Sequence, residues 1–288
     1  MNTLFITGVT GFLGGAVLEK ILNSDQAVNL LLLVRAGNPQ EGLERVKENM
    51  RKFRVHENTL ARLKADDILI GDLANAHDFL SDPRLEQVTH VLNCAAVASF
   101  GNNPLIWKVN VEGTLALATR MEQVEGLQRF LHVGTAMSCT PEQDTLVAES
   151  AEFRENAEHL VEYTYSKSTI EQLMRQQCPR LPLLIARPSI VVGHTRHGCT
   201  PSSSIFWVFS MGLMLQKFMC SMEDKVDVVP VDYCADALLM LLNSSALQGE
   251  VVHISAGEES SVRFADIDMA MAEALEKAPV GDKYAQVS

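Results

Sequence analysis

Short apolar runs alternate along this chain with longer segments of helical spacing. Leu4–Thr7 reads as a short strand, followed by a glycine-rich turn and then a helix over Phe12–Leu22. Val28–Val34 is a continuous apolar run, the pattern of a strand covered on both faces. Residues 40–65 are charged with helical spacing, and Asp67–Ile70, His90–Cys94 and Arg129–Val133 read as further strands. Asn110–Val124 and Glu162–Gln177 read as helices, and Leu183–Ala186 as a strand running into Arg187-Pro188. Strands that alternate with helices in this way predict βαβ units, hence an α/β fold with a doubly wound, Rossmann-like parallel sheet. Beyond residue 195 the pattern loosens: Val226–Val229 is an expected strand, Asp232–Leu242 a helix, Val251–Ile254 a strand and Phe264–Lys277 a helix. The expected organisation is a Rossmann domain over residues 1–195 and a smaller substrate-side region over 196–288. Within that region, residues 226–256 return to the sheet.

Composition narrows the function. The 288 residues are 47% hydrophobic, enough for a full core, and the formal net charge of −12 argues against nucleic acid as a partner. The six cysteines, Cys94, Cys139, Cys178, Cys199, Cys220 and Cys234, form no C-x-x-C pair and no Cys/His cluster at zinc spacing, so no metal is expected. Scattered thiols, and an apolar strand that begins within four residues of Met1, predict a cytoplasmic location. The apolar stretch Ile205–Leu215 is too short to span a membrane and is expected to be a buried or pocket-lining helix.

The first chemical signal is Thr7-Gly8-Val9-Thr10-Gly11-Phe12-Leu13-Gly14 between a strand and a helix. Glycines every third residue allow a tight turn and close backbone approach, and the helix N-terminus offers free N–H groups to a pyrophosphate. Gly8, Thr10, Gly11, Phe12 and Leu13 are therefore expected to hold a dinucleotide. The second strand ends in Val34-Arg35-Ala36-Gly37, with no acid to bind a ribose 2′-hydroxyl. A guanidinium suits a 2′-phosphate, so Arg35, assisted by Arg45 or Arg51, predicts NADP(H) in preference to NAD(H). Asp72 and Leu73 follow the third strand, and Ala95 and Ala96 the fourth, at carboxyl ends where such ligands sit. Asp72 either meets the adenine amino group or merely caps the chain.

The second signal is chemical rather than structural. Tyr163 and Lys167 stand at i and i+4 on the predicted helix and share a face. A nearby ammonium is expected to lower the phenol's pKa and so ease proton transfer, and the lysine can also hold the nicotinamide ribose. Thr135, just past a strand end, is placed to donate to a carbonyl oxygen beside Tyr163, with Ser138 as its substitute. Tyr165 is only two residues from Lys167 and is expected to face away. Asn110 is expected either to support a proton relay or to fix the helix geometry.

As an ordered set, these motifs resemble the extended short-chain dehydrogenase/reductase family: T-G-x-x-G-F-L-G, Gly71-Asp72-Leu73, Asn93-Cys94-Ala95-Ala96, Asn110-Val111-Glu112-Gly113-Thr114, Thr135, Tyr163/Lys167 and Arg187-Pro188-Ser189. Within it, the chain looks most like the fatty acyl-CoA reductase and thioester-reductase branch, of male-sterility type. The segments that carry this are Leu32–Arg35, Ala95–Phe100, His132–Ala136, Ala186–Val191 and Val226–Tyr233. The resemblance implies an NAD(P)-dependent oxidoreductase that transfers hydride to an acyl thioester on coenzyme A or a carrier protein. Thr135 and Tyr163 would hold the carbonyl oxygen, with Lys167 on the ribose and Pro188 and Ser189 beside the cofactor. It also implies a homodimer.

The chain departs from that branch at Gly134, where a serine is usual, and at Met137, where an aromatic is frequent. It also ends at Ser288, soon after the last expected helix, where relatives carry further helices that help build the acyl site. Two other readings stay open: an extended-family dehydrogenase, epimerase or ketone reductase on another small substrate, and a dinucleotide-binding protein without turnover. The sparse cations after residue 190, Arg196 and His197, disfavour a nucleotide sugar.

Overall fold

The computed structural model describes residues 2–25, 27–140, 147–152, 158–198, 211–212, 214–215, 217–218, 221–247, 249–274, 276–279, 281 and 285–286. Nine strands position the site: β1 (Thr3–Thr7), β2 (Asn29–Val34), β3 (Ile68–Ile70), β4 (His90–Asn93), β5 (Arg129–Val133), β6 (Leu183–Pro188), β7 (Ile190–Val192), β8 (Val228–Pro230) and β9 (Val251–Ile254). Seven of them form one parallel sheet in the order β9-β6-β5-β4-β1-β2-β3. The strand order reverses between β1 and β4, which opens a crevice above their carboxyl ends. The remaining pair, β7 and β8, runs parallel beside the sheet.

Five helices cover the two faces: α1 (Phe12–Leu22), α2 (Pro39–Lys52), α3 (Thr114–Met121), α4 (Glu162–Gln177) and α5 (Val231–Asn243), while α6 (Phe264–Ala274) packs beside the short strand Val262–Arg263. Alternate residues of each strand explain the layers. Leu4, Ile6, Leu32, Val34, Leu131 and Val133 pack with α1, α2 and α5 on one side. Phe5, Leu31, Leu33, Phe130 and Ile185 pack with α3 and α4 on the other. The unbroken apolar run of β2 thus has a cause: each of its faces meets a core.

The sheet continues past the Rossmann half. After α5 packs against α1, β9 returns to pair with β6, with Val251 opposite Ile185. The expected strand Val226–Val229 is divided at Asp227. Lys225–Val226 pairs antiparallel with Val262–Arg263, while β8 pairs with β7. At the break, the Asp227 carbonyl accepts the Ile190 N–H at 3.3 Å and its Oδ1 accepts the Ala256 N–H at 2.9 Å. The charged segment 40–65 forms α2 and one short turn, Glu57–Leu60. The helix expected from Asn110 begins earlier, at Leu105, and passes through a wide π turn, Lys108–Gly113, before α3. Most of the apolar run Ile205–Leu215 lies outside the described residues. Within it, Met214 and Leu215 are exposed rather than buried. Among the described residues no helix is long and apolar enough to cross a membrane.

Candidate active site

The glycine turn forms where β1 meets α1. Gly8 adopts φ +73°, and a Cβ there would lie 2.7 Å from the Ala95 backbone nitrogen. Only glycine permits that approach of the β1 and β4 ends. Gly11, the residue before α1, makes no side-chain cap, so the first N–H groups of the helix remain free. The contrast with α2 is direct: there the Asn38 side chain accepts the Glu41 N–H at 3.0 Å and closes that terminus. An uncapped helix end in the crevice fits a pyrophosphate. Thr10, Phe12 and Leu13 lie around it, partly exposed.

The floor of the crevice is polar across three strands. Thr7, Asn93 and His132 occupy one row, in register on β1, β4 and β5. The Thr7 hydroxyl donates to Asn93 Oδ1 at 2.6 Å and accepts the Ala95 N–H at 3.1 Å. Asn93 Nδ2 then faces His132 Nδ1 at 3.1 Å. Burial pushes the His132 imidazole well below its usual pKa, so the ring is neutral and carries its proton on Nε2. This row sets the position of Ala95, and nothing in the motif spacing announced it.

At the outer rim, the Arg45 guanidinium donates to the Arg35 carbonyl. The Arg35 side chain is exposed, with Asp72 Oδ2 3.9 Å away. Asp72 acts as a cap, its Oδ1 accepting the Ala74 N–H at 2.9 Å, and Leu73 behind it is buried. Arg51, the other candidate helper, is instead engaged by Glu57 at 2.8 Å. On the far side, Pro188 ends β6, and the Ser189 hydroxyl is buried without a partner among the described residues. An orphaned hydroxyl there, an uncapped helix end and the Gly8 approach together fit a dinucleotide.

The catalytic candidates gather at the β5 end. Lys167 is buried, and its Nζ donates to the Val133 carbonyl at 2.7 Å, two residues before Thr135. Desolvation lowers its pKa to about 8. Tyr163, partly buried one turn earlier on α4, has its phenol pushed up to about 12 by burial. The expected lowering of the phenol by the lysine is therefore not found: in the ligand-free protein the ammonium is spent on a backbone carbonyl and desolvation dominates. Thr135 is buried, and its Oγ1 accepts the Met137 N–H at 3.3 Å, which leaves its own proton to donate. Ser138 donates to the Thr135 carbonyl at 2.7 Å and so props Thr135. Tyr165 is exposed and stacks with Trp107 and His159.

Asn110 spends both amide protons. Its Oδ1 accepts the Val97 N–H at 2.8 Å, and its Nδ2 donates to the Val97 carbonyl at 3.2 Å and to Ser166 Oγ at 3.0 Å. These bonds tie the π turn to the β4 loop and to α4. Ala96 lies on that loop, partly exposed.

Glu171 is the residue that motif reading missed, although it follows Lys167 at i+4 on the same face. Its carboxylate is buried and clasped by Arg187, with Nη2 to Oε2 at 2.6 Å and Nε to Oε2 at 3.0 Å. It also explains the departure at Gly134: any Cβ there would overlap Glu171 Oε1. The room a serine would need is filled by a carboxylate. The second departure, Met137, is half exposed.

Residues 6–238 match the male sterility protein family. Among similar proteins, the fatty acyl-CoA reductase wat of Drosophila melanogaster is 27% identical over 82% of this chain and 53% of its own length. Fatty acyl-CoA reductase 1 of Gallus gallus is 26% identical over 83% of this chain and 54% of its own. The chain thus spans about half the length of these relatives. Among solved structures, the terminal R domain of the myxalamid PKS-NRPS biosynthetic pathway superposes with a TM-score of 0.76 at 23% identity, covering 95% of this chain and 69% of that one. This protein belongs to the male sterility family of extended short-chain dehydrogenase/reductases, and so to the NAD(P)-dependent oxidoreductases.

Proposed function

We propose that this protein reduces an acyl thioester, carried on coenzyme A or a carrier protein, with NADPH. The observation that carries the reading is the buried Lys167 ammonium, held at the β5 end beside Thr135 and on the same helical face as Tyr163. The names of the reductase relatives supply the substrate class. The bound nicotinamide supplies the hydride that adds to the carbonyl carbon. As the carbonyl oxygen gains charge, the Thr135 hydroxyl and the Tyr163 phenol donate to it. A phenol held protonated by burial is suited to that donor role. Collapse of the tetrahedral centre expels the thiolate and leaves an aldehyde, and a second hydride would give the alcohol. Lys167 would turn from the Val133 carbonyl to the ribose hydroxyls when the cofactor enters. Arg35 and Arg45 would hold a 2′-phosphate, and their arginine chemistry favours NADP(H) over NAD(H).

The test is loss of NADPH absorbance with a panel of acyl-CoA and acyl-carrier substrates. Tyr163→Phe is expected to reduce turnover by about 100-fold or more while leaving cofactor binding in place. Equal rates for the wild type and Tyr163→Phe across the panel would refute the assignment. If a small ketone were reduced and no thioester were, the substrate class would be wrong while the site remained.

A further inference from the structure

Helix α1 carries one acid, and it is buried. Glu19 is 3% exposed. Its Oε1 accepts the Asn23 Nδ2–H at 2.9 Å, and its Oε2 has no partner among the described residues. Two histidines from the loop after β7 converge on it. The His194 side chain is fully enclosed, and its Nε2 is likewise unpartnered. His197 Nε2 lies 3.6 Å from Glu19 Oε1, and the two imidazole centroids are 4.1 Å apart. The three candidate ligand atoms all lie within 4.8 Å of one another.

A polar atom left buried and unpaired is costly, because it has given up its bonds to water. Here a carboxylate oxygen of Glu19 and an imidazole nitrogen of His194 are orphaned within one cluster that His197 completes. One divalent cation would satisfy all three. We propose that Glu19, His194 and His197 bind a first-row divalent metal of the zinc class, with water as the fourth ligand. Two nitrogens and one carboxylate form a donor set that suits zinc. Tetrahedral ligands about 2 Å from the ion sit roughly 3.3 Å apart, so side-chain rotations of about 1 Å close the site.

One rearrangement accompanies binding. In the free protein His194 Nδ1 accepts the backbone N–H groups of Arg196 at 3.1 Å and His197 at 3.3 Å, which leaves the ring proton on Nε2. Ligation through Nε2 moves that proton to Nδ1 and releases the two backbone bonds. Asp232 Oδ1, 3.9 Å from Nδ1, is then the acceptor that orients the ring. Asp232 is itself anchored through Thr195 at 3.1 Å. No spacing in the sequence announces the site, because Glu19 and the histidines are remote along the chain.

The site lies beside the cofactor cradle. His197 and Gly198 line a cleft of about 500 Å³ together with Thr10, Gly11 and Phe12. The ion would pin the loop 193–198 to the helix whose N-terminus receives the pyrophosphate. Its role is to fix that loop, and no chemical step passes through it.

The test uses chelator-treated full chain titrated with zinc alone by calorimetry, and with cobalt(II) by absorption. One equivalent is expected to bind, with no thiolate-to-cobalt charge-transfer band. Glu19→Gln and His197→Ala are each expected to weaken binding by about tenfold or more, with circular dichroism confirming that both fold. His197 is partly exposed, so its variant serves as the folded control. Zinc should raise the Tm of the wild type and not of His197→Ala. Absence of binding, binding that both variants retain, or a thiolate band tracing the ion to cysteine would each overturn the proposal. The first result would leave Glu19 and His197 as an acid–imidazole pair 3.6 Å apart.

Discussion

Lys167 and Gly134 show how much a single residue carries here. Burial holds the lysine at about 8, so its ammonium is present below that pH and lost as pH rises through it. If the ammonium binds the ribose, kcat/KM for the cofactor should fall as pH rises past about 8, because that parameter reports the free enzyme. Lys167→Met should abolish this limb, and a pH profile that keeps it would assign the titration elsewhere. At Gly134, any side chain would strike Glu171 Oε1. Gly134→Ser should destabilise the fold by about 1–3 kcal/mol, read as a lower denaturation midpoint. A smaller cost of Gly134→Ser in a Glu171→Ala background than in the wild type would assign the loss to the clash. The identity of Gly134 was plain from the chain, but its reason was not, since Glu171 reaches it only after α4 packs on the sheet.

At the scale of elements, α1 does two separable things. Its buried face, with Val17 and Leu18 fully enclosed, holds the α1–α5 layer on the sheet. Leu18→Ala should cost about 2–5 kcal/mol in urea denaturation. Cofactor affinity at low temperature should be little changed, because the uncapped N-terminus, nearly two turns away, is untouched. Gly8→Ala should do the reverse to function, since its positive φ and the Ala95 contact force the turn apart. The expected outcome is loss of dinucleotide binding by titration. Retained affinity would mean that the turn is not the cradle. Strand and helix positions were legible because a short apolar run and a 3.6-residue period are both local signals. The π turn and the break at Asp227 were not legible: at each, a side chain, Asn110 or Asp227, bonds backbone remote in the chain, at Val97 and Ala256.

At the scale of the whole molecule, the cofactor should act as a clamp between β1, β4 and β6. NADPH at about 100 times its dissociation constant should add about 2.7 kcal/mol to stability, visible as a raised Tm, and NADH should add less at equal concentration. Replacing Arg35 with serine should bring the two cofactors together, and an unchanged difference would move the 2′-phosphate away from Arg35. The sequence by itself determined the parallel sheet, the glycine turn and the Tyr163–Lys167 face, because each rests on spacing within one or two neighbouring elements. Only tertiary structure decided the rest. The Thr7–Asn93–His132 row, the Glu171–Arg187 clasp and the Glu19–His194–His197 cluster each join residues far apart in the chain. Their chemistry follows from burial, which desolvates Lys167 and leaves Glu19 and His194 with unsatisfied atoms, and burial exists only once the layers close.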